Sequence, residues 1–148
     1  MKLSEHFDLS EFTASDTAAR LGIDNTPSDI PLYFLHKLAQ TMEEVRSLLG
    51  KPIHITSGYR CPALNAAVGS KPSSSHVQGM ACDFRCPEFG TILDVIHAIQ
   101  KSNIDFDQLI LEFFDGGANG WVHIGIAPAM RKQLLTINHN GTQAGIVA

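Results

Sequence analysis

Two short segments in which apolar and polar residues alternate constrain the fold of this chain most strongly. Successive side chains of a β-strand point to opposite faces of the sheet. Residues 80–84 and 121–126 both show this alternation, and their apolar positions share one face: Met80, Cys82, Phe84, Val122, Ile124 and Ile126. Asp83 and His123 fall on the opposite face. We therefore predict two strands whose apolar sides pack in the core and whose other sides carry these two residues.

His76 is a third residue with metal-binding chemistry near this pair. It lies seven positions before Asp83, and this odd spacing would place the two side chains on opposite faces of one straight strand. Gly79 can take the backbone angles of a turn between them, and the small Ala81 leaves room for an ion. Two imidazoles and one carboxylate leave one position of a tetrahedral zinc ion open, which is typical of catalytic zinc. The pattern predicts a Zn²⁺ site of His76, Asp83 and His123 in a metallohydrolase.

The other histidines are interpreted differently, because a lone histidine on an amphipathic element is usually a hydrogen-bonded structural residue. This interpretation applies to His6, His36, His54, His97 and His139. For the three candidate ligands, the matched faces and the turn glycine favour a metal site over the structural alternative.

Length and charge limit the remaining classes of function. With 148 residues the chain forms one domain, predicted as an N-terminal arm (1–30), a metal-site core (31–137) and a mobile tail (138–148). A net charge of −4 argues against nucleic-acid binding, and no apolar run reaches the length of a membrane span. The polar N-terminus lacks the pattern of a secretory signal, so we expect synthesis in the cytoplasm. We expect a monomer.

Three cysteines do not form a paired metal-binding motif. Cys82 falls on the predicted core face and is interpreted as a small buried apolar residue. Cys61 and Cys86 lie near the loops that frame the predicted site and could approach one another. Because cytoplasmic chains rarely keep disulfides, we do not predict a bond between them.

The periodicity of the rest of the chain predicts an α+β fold. Apolar residues at three-to-four spacing predict two main helices, at 31–50 and 89–101, and shorter helices are expected at 15–21 and 61–68. Strands are expected at 51–57, 80–84, 108–114 and 120–127, with a further edge strand at 131–137. Because the strands cluster late, we predict a small antiparallel β-sheet flanked by helices.

Three motifs span residues 50–127. They are Ser57-Gly58-Tyr59-Arg60 followed by Leu64-Asn65, then Ser74-x-His76-x-x-Gly79-x-Ala81-x-Asp83, then Trp121-Val122-His123. Together they resemble the M15 family of zinc peptidases, the D-alanyl-D-alanine carboxypeptidase-like proteins whose fold is shared with the Hedgehog signalling domain. Residues 7–27 resemble the N-terminal lead-in of the phage-associated branch of that family.

The resemblance implies specific roles for the motif residues. It makes His76, Asp83 and His123 the zinc ligands, and it places Arg60 near the metal, where a guanidinium can bind a carboxylate or stabilise an oxyanion. Tyr59 and Ser74 are expected to contact substrate, although Ser74 can equally orient His76 or cap a loop. The implied substrate is the peptide of bacterial peptidoglycan, cut by a D,D- or L,D-type carboxypeptidase or endopeptidase. The lead-in and the lack of a signal suggest an endolysin released by a phage, or a virion component.

Gly120 departs from the family pattern. Many members carry an acidic residue or histidine at that position as the general base, and glycine cannot transfer a proton. We predict that Glu112 replaces it, if the hairpin of residues 108–127 pairs Glu112 roughly opposite His123. Asp115 in the hairpin loop is the second choice. Without a base, the chain would be a non-catalytic, metal-retaining phage structural or wall-binding module.

Overall fold

Five helices and six strands make up the fold in a computed structural model that describes residues 1–148. The helices are α1 (Leu9–Thr13), α2 (Asp16–Leu21), α3 (Asp29–Leu49), α4 (Pro62–Ala67) and α5 (Ile92–Gln100), with a 3-10 turn at Ser75–Gln78. The strands are β1 (His54–Ser57), β2 (Ala81–Arg85), β3 (Gln108–Glu112), β4 (Trp121–Gly125), β5 (Gln133–Asn138) and β6 (Gly141–Ala144). They form one sheet in the order β1-β2-β4-β3-β5-β6.

The two main helices follow from the apolar spacing that predicted them. Helix α3 ends at Gly50, which takes the left-handed conformation with φ +65° that terminates many helices. Helix α5 begins at Thr91, whose side chain and that of Asp94 cap each other's backbone N–H groups. Both helices bury their apolar sides against the sheet face that carries Cys82, Phe84, Val122 and Ile124. The opposite face of β2 and β4 is left to carry Asp83 and His123.

The sheet is mixed, which corrects the expectation of an antiparallel one. Four strand pairs are antiparallel, but β3 and β5 run parallel, with Gln108 beside Gln133 and Glu112 beside Ile137. The reason is the path of the chain: β4 ends with Gly125 beside Gln108, and residues 126–132 pass around that same end of β3. Strand β5 therefore starts level with β3.

The region after residue 130 differs from the predicted edge strand, and the segment predicted as a mobile tail contains a sixth strand. Strand β5 lies inside the sheet, because β6 pairs with it in a hairpin that places Leu135 beside Ala144. The Thr136 hydroxyl is buried and donates to the carbonyl of Gly145, while it accepts the N–H of Val147. These bonds tie the end of the chain to the sheet.

The N-terminal arm packs into the core. Phe7 and Phe12 are buried in it, with their ring centroids 6.0 Å apart. The Glu43 carboxylate of α3 accepts hydrogen bonds from the Ser4 hydroxyl (2.6 Å) and the His6 backbone N–H (2.7 Å). Residues 9–13, for which no helix was predicted, form α1, and its Asp8 and Glu11 side chains complete a capping box.

All three cysteines are free thiols, and Cys82 is fully buried, as its place on the core face predicted. None of the helices combines the length and apolar character that crossing a bilayer requires.

The ion pair between Asp107 and Arg131 holds the connection from β4 to β5. Its contribution to stability should depend on pH. Hydrogen bonds from Arg131 hold the pKa of the Asp107 carboxyl below its usual value, against the opposing effect of burial. A lowered folded pKa stabilises the protein above the unfolded value of about 3.9, and this contribution is lost as the pH falls further. We expect Arg131→Ala to lower Tm near neutral pH, with a gap to wild type that narrows below about pH 4.

The matched control is Lys132→Ala, which removes a neighbouring contact to Asp105 between two exposed side chains. It should change Tm little at any pH. A gap for Arg131→Ala that is independent of pH in scanning calorimetry would contradict the assignment.

Candidate metal centre

Three side chains converge on the sheet face opposite the helices. Asp83 of β2 lies directly beside His123 of β4 in the antiparallel register, and the 3-10 turn brings in His76 from above the end of β2. One Asp83 oxygen, Oδ1, lies 3.0 Å from His123 Nδ1 and 3.4 Å from His76 Nε2. All three residues are buried, and one ligand atom from each lies within 4.8 Å of the others. The predicted metal-site residues are thus brought together.

The orientation of His76 is set by the loop that follows β1. Its Nδ1 lies 2.7 Å from the carbonyl oxygen of Gly58, which can only accept a hydrogen bond, so Nδ1 carries the proton. Nε2 then keeps its lone pair and faces Asp83. The Arg60 backbone N–H donates in return to the His76 carbonyl oxygen at 3.1 Å. A hydrogen bond from the ring nitrogen that does not bind the metal, such as the one from His76 Nδ1 to Gly58, is the usual way in which proteins orient a metal-binding imidazole.

The N-terminal arm holds this loop in place. The Tyr59 N–H donates to the Phe12 carbonyl oxygen at 2.7 Å, and a Cβ atom on Gly58 would lie 2.7 Å from the Phe12 Cα. The Asn25 side chain donates to the carbonyl oxygens of Thr13 and Tyr59. Residues of the arm therefore support the carbonyl group that orients His76.

Asp83 carries a negative charge in a buried position. Burial by itself would raise the pKa of its carboxyl, but the hydrogen bond from His123, together with the nearby His76 ring, outweighs burial and holds the pKa well below its usual range. A buried carboxylate is stable only where positive charge or hydrogen-bond donors surround it. His123 Nδ1 can supply such a donor at 3.0 Å, and a bound metal ion would supply positive charge.

Glu112 adds a second carboxylate to the same face. Its Oε1 lies 3.6 Å from His123 Nδ1, and its Oε2 accepts a hydrogen bond from the indole N–H of Trp121 at 3.0 Å. In the register of β3 and β4 Glu112 pairs with Trp121, while Ile110 pairs with His123. The predicted pairing was therefore two residues off, which preserves the face. Burial, and then the charge of Asp83, raise the pKa of the Glu112 carboxyl.

Gly120 is a glycine for a steric reason. Its φ is +97°, and a Cβ atom there would lie 2.7 Å from the Glu112 carbonyl oxygen and 2.8 Å from the backbone of Phe113. Phe113 itself takes a positive φ of +55°, a conformation that is uncommon for a bulky residue. The space that a side chain at position 120 would fill is occupied by the turn that carries Glu112.

The remaining predicted residues divide between the site and its surroundings. Arg60 donates to Asn65 Oδ1 (3.1 Å) and Ser74 Oγ (3.3 Å), and burial lowers the pKa of its guanidinium against the pull of Asp83 and Glu112. Ser74 also accepts the His76 N–H, so it caps the 3-10 turn. The Tyr59 side chain is buried in the core, and its contact with substrate stays a prediction. Asp115 is exposed and bonded to Asn119.

Several supporting residues received no role from the sequence. Asn65 is buried, accepts from Arg60 and donates to the carbonyl oxygens of Ser70 and Lys71, so it shapes the loop before His76. Its place in the first motif was the available signal. The hydrogen bonds of Asn25 and Trp121 left no signal in the sequence, because they depend on tertiary contacts.

The donor set fits a divalent metal ion. Two neutral imidazole nitrogens and one carboxylate oxygen are the ligands that Zn²⁺ accepts, and three protein ligands leave one position for a substrate group. The Gly58 carbonyl fixes the tautomer that His76 needs for this purpose. His76, Asp83 and His123 are therefore the residues that could hold an ion.

The comparison with known families decides the identity. The family model described as Peptidase M15 matches residues 5–125. The chain belongs to the peptidase M15 family. M15 peptidases are metallopeptidases, in agreement with the cluster of His76, Asp83 and His123. No curated protein matches the chain.

Metal binding to this M15 chain can be tested by thermal unfolding with zinc as the probe. An ion that binds only the folded state adds about 2.7 kcal/mol at a concentration 100-fold above its Kd. We expect zinc to raise the Tm of the metal-free wild type and to have no such effect on Asp83→Ala.

The control for this measurement is His36→Ala, which removes an exposed histidine of α3. Its response to zinc should equal that of the wild type. An equal zinc-induced shift in Asp83→Ala would mean that zinc binds elsewhere.

The support of His76 by the arm is tested by Gly58→Ala. Because the added Cβ would press against the Phe12 backbone, we expect a loss of about 1–3 kcal/mol in the free energy of unfolding. The shifted carbonyl should also weaken zinc binding about tenfold or more. Gly117→Ala is the matched control, since its Cβ would meet only Asp115 Oδ1 at 3.5 Å. Similar effects of the two variants in denaturant unfolding and zinc titration would contradict the role of Gly58.

Proposed function

We propose that the protein is a zinc-dependent peptidase that hydrolyses peptide bonds of bacterial peptidoglycan. The observation that carries this proposal is the position of Glu112, whose Oε1 lies 3.6 Å from His123 Nδ1 on the face shared by the candidate ligands. Three ligands would leave one position of the ion open, and a carboxylate oxygen beside that position suits hydrolysis because it can take a proton from water.

His76, Asp83 and His123 would hold the ion. When bound, zinc supplies Lewis-acid chemistry, polarising a carbonyl group and making water more acidic. The carbonyl of Gly58 and the backbone of β4 keep the two imidazoles in place, so little reorganisation of the chain is needed during the reaction.

Glu112 would act as the general base and acid. Its Oε1 is free of the Trp121 hydrogen bond, so it can accept the proton of the attacking water and then pass it to the leaving amine. This assigns to Glu112 the role that Gly120 cannot perform.

Arg60 would bind the substrate. Asn65 and Ser74 hold its guanidinium through Nε and Nη2, which leaves Nη1 without a side-chain acceptor. A guanidinium held in this way can grip a substrate carboxylate or stabilise charge on the scissile carbonyl oxygen. Ser74 would orient both Arg60 and His76. The proposed contact of Tyr59 with substrate would require the edge of its ring to reach the candidate metal centre.

The substrate and the biological setting rest on the resemblance of the motifs. The D-alanyl-D-alanine carboxypeptidase-like motifs support a D,D- or L,D-type carboxypeptidase or endopeptidase of the cell wall. The lead-in of residues 7–27 supports a phage-associated enzyme, which would reach the wall on lysis or as part of a virion. The proposed form is a monomer whose partner is the peptidoglycan peptide, with no nucleic-acid partner.

A non-catalytic, metal-retaining phage structural or wall-binding module is the second candidate. Gly120 is the observation in its favour, because it removes the usual position of the general base. The two candidates differ in what Glu112 does, so a variant of that residue separates them.

The deciding experiment compares wild type with Glu112→Gln on purified peptidoglycan. Since general acid–base catalysis contributes about 100- to 10,000-fold, we expect Glu112→Gln to lower kcat by a factor in that range. Bound zinc should remain the same, because the candidate ligands are intact. Released muropeptides are measured by liquid chromatography with mass spectrometry, which also identifies the bond cut.

Glu88→Gln, which changes an exposed glutamate, is the matched control and should retain full activity. Release of muropeptides by Glu112→Gln at the wild-type rate would contradict the assignment of Glu112 as the base. No release by a zinc-loaded wild type would favour the non-catalytic module.

A further inference from the structure

Trp121 is the only tryptophan of the chain, and it lies two residues before His123 on the same face of β4. Its indole N–H donates to Oε2 of Glu112 at 3.0 Å. The other oxygen of that carboxylate, Oε1, is the one 3.6 Å from His123 Nδ1. The indole therefore engages one oxygen of Glu112 and leaves the other toward the candidate metal ligands.

We propose that Trp121 is a positioning residue that sets the rotamer of Glu112, an inference that rests on the proposed function of Glu112 as the base. A glutamate side chain loses considerable rotamer freedom when it is held in one geometry. A hydrogen bond to a charged carboxylate is among the stronger ones in proteins. Trp121 supplies that bond from the directly paired position on the neighbouring strand.

The packing around the indole supports this role. The Phe113 ring lies against the indole, with ring centroids 5.4 Å apart and planes tilted by 36°. Phe113 also contacts the His139 ring, whose centroid is 5.2 Å away. Phe113 reaches this position with a φ of +55°, and its N–H is held by the Ile137 carbonyl oxygen at 2.8 Å. Residues in sparsely populated backbone regions cluster where a geometry must be maintained. The strained turn keeps the indole beside Glu112.

The main alternative is direct contact between the Trp121 ring and the substrate. A ring that binds substrate would contribute to activity with any residue at position 112, whereas a positioning residue contributes to activity only through Glu112. Coupling between the two positions therefore distinguishes the two roles.

The first experiment is a double-mutant cycle of Trp121→Phe and Glu112→Gln, assayed on purified peptidoglycan. Trp121→Phe keeps an aromatic ring and removes the donor, so we expect a roughly tenfold fall in kcat with KM nearly unchanged. In the Glu112→Gln background the same substitution should lower kcat little further. The rise of Tm with zinc should equal that of the wild type. An equal loss in both backgrounds, or a change confined to KM, would overturn the proposal.

The second experiment does not depend on turnover. A single tryptophan gives a single indole N–H resonance in a ¹⁵N-correlated NMR spectrum. Glu112→Ala should move that proton upfield and speed its exchange with solvent, whereas Glu112→Gln keeps a carbonyl acceptor and should have a smaller effect. Glu88→Ala, at the surface, should leave the resonance unchanged. An indole resonance indifferent to Glu112→Ala would refute the contact, while a wild type without peptidase activity would refute only the proposed function.

Discussion

The buried charge of Asp83 is the constraint on which the arrangement of the site depends. A carboxylate removed from water needs donors or a cation around it, and here one oxygen faces two imidazole nitrogens. The pairing of β2 with β4 supplies His123, and the 3-10 turn supplies His76. A bound cation would satisfy the same carboxylate more fully, so metal binding and folding stability are coupled.

The N-terminal arm and the candidate metal centre are linked by a chain of direct contacts. Glu43 of α3 anchors the start of the arm, Phe12 supports the loop at Gly58, and the Gly58 carbonyl orients His76. Each step is a backbone contact or a short hydrogen bond, so the arm, the loop and His76 form one connected set of contacts. Residues far from His76 in the sequence thereby support the loop whose carbonyl group orients its ring.

Strand parity predicted which side chains share a face better than it predicted the topology. Because side chains alternate along a strand, the apolar positions alone placed Asp83 and His123 on one face, and Glu112 kept its face even though its pairing was two residues off. The parallel β3–β5 pair and β6 were missed, because their pairing depends on the path of residues 126–132 and on tertiary contacts of the tail. Tyr59 shows a similar limit: a motif gives the residue type, whereas packing decides which way the side chain faces.

A Cβ atom at position 120 would press against the Glu112–Phe113 backbone, so a side chain there and Glu112 in its present position exclude each other. A side chain at position 120 would displace the turn that carries Glu112, so a chain can use one location or the other. If Glu112 is the base, as proposed, moving the base from one strand to its neighbour would require at least two coordinated substitutions. With Glu112 as the proposed base, a search for an acid at a fixed offset from the last histidine would miss chains that carry the base on the neighbouring strand.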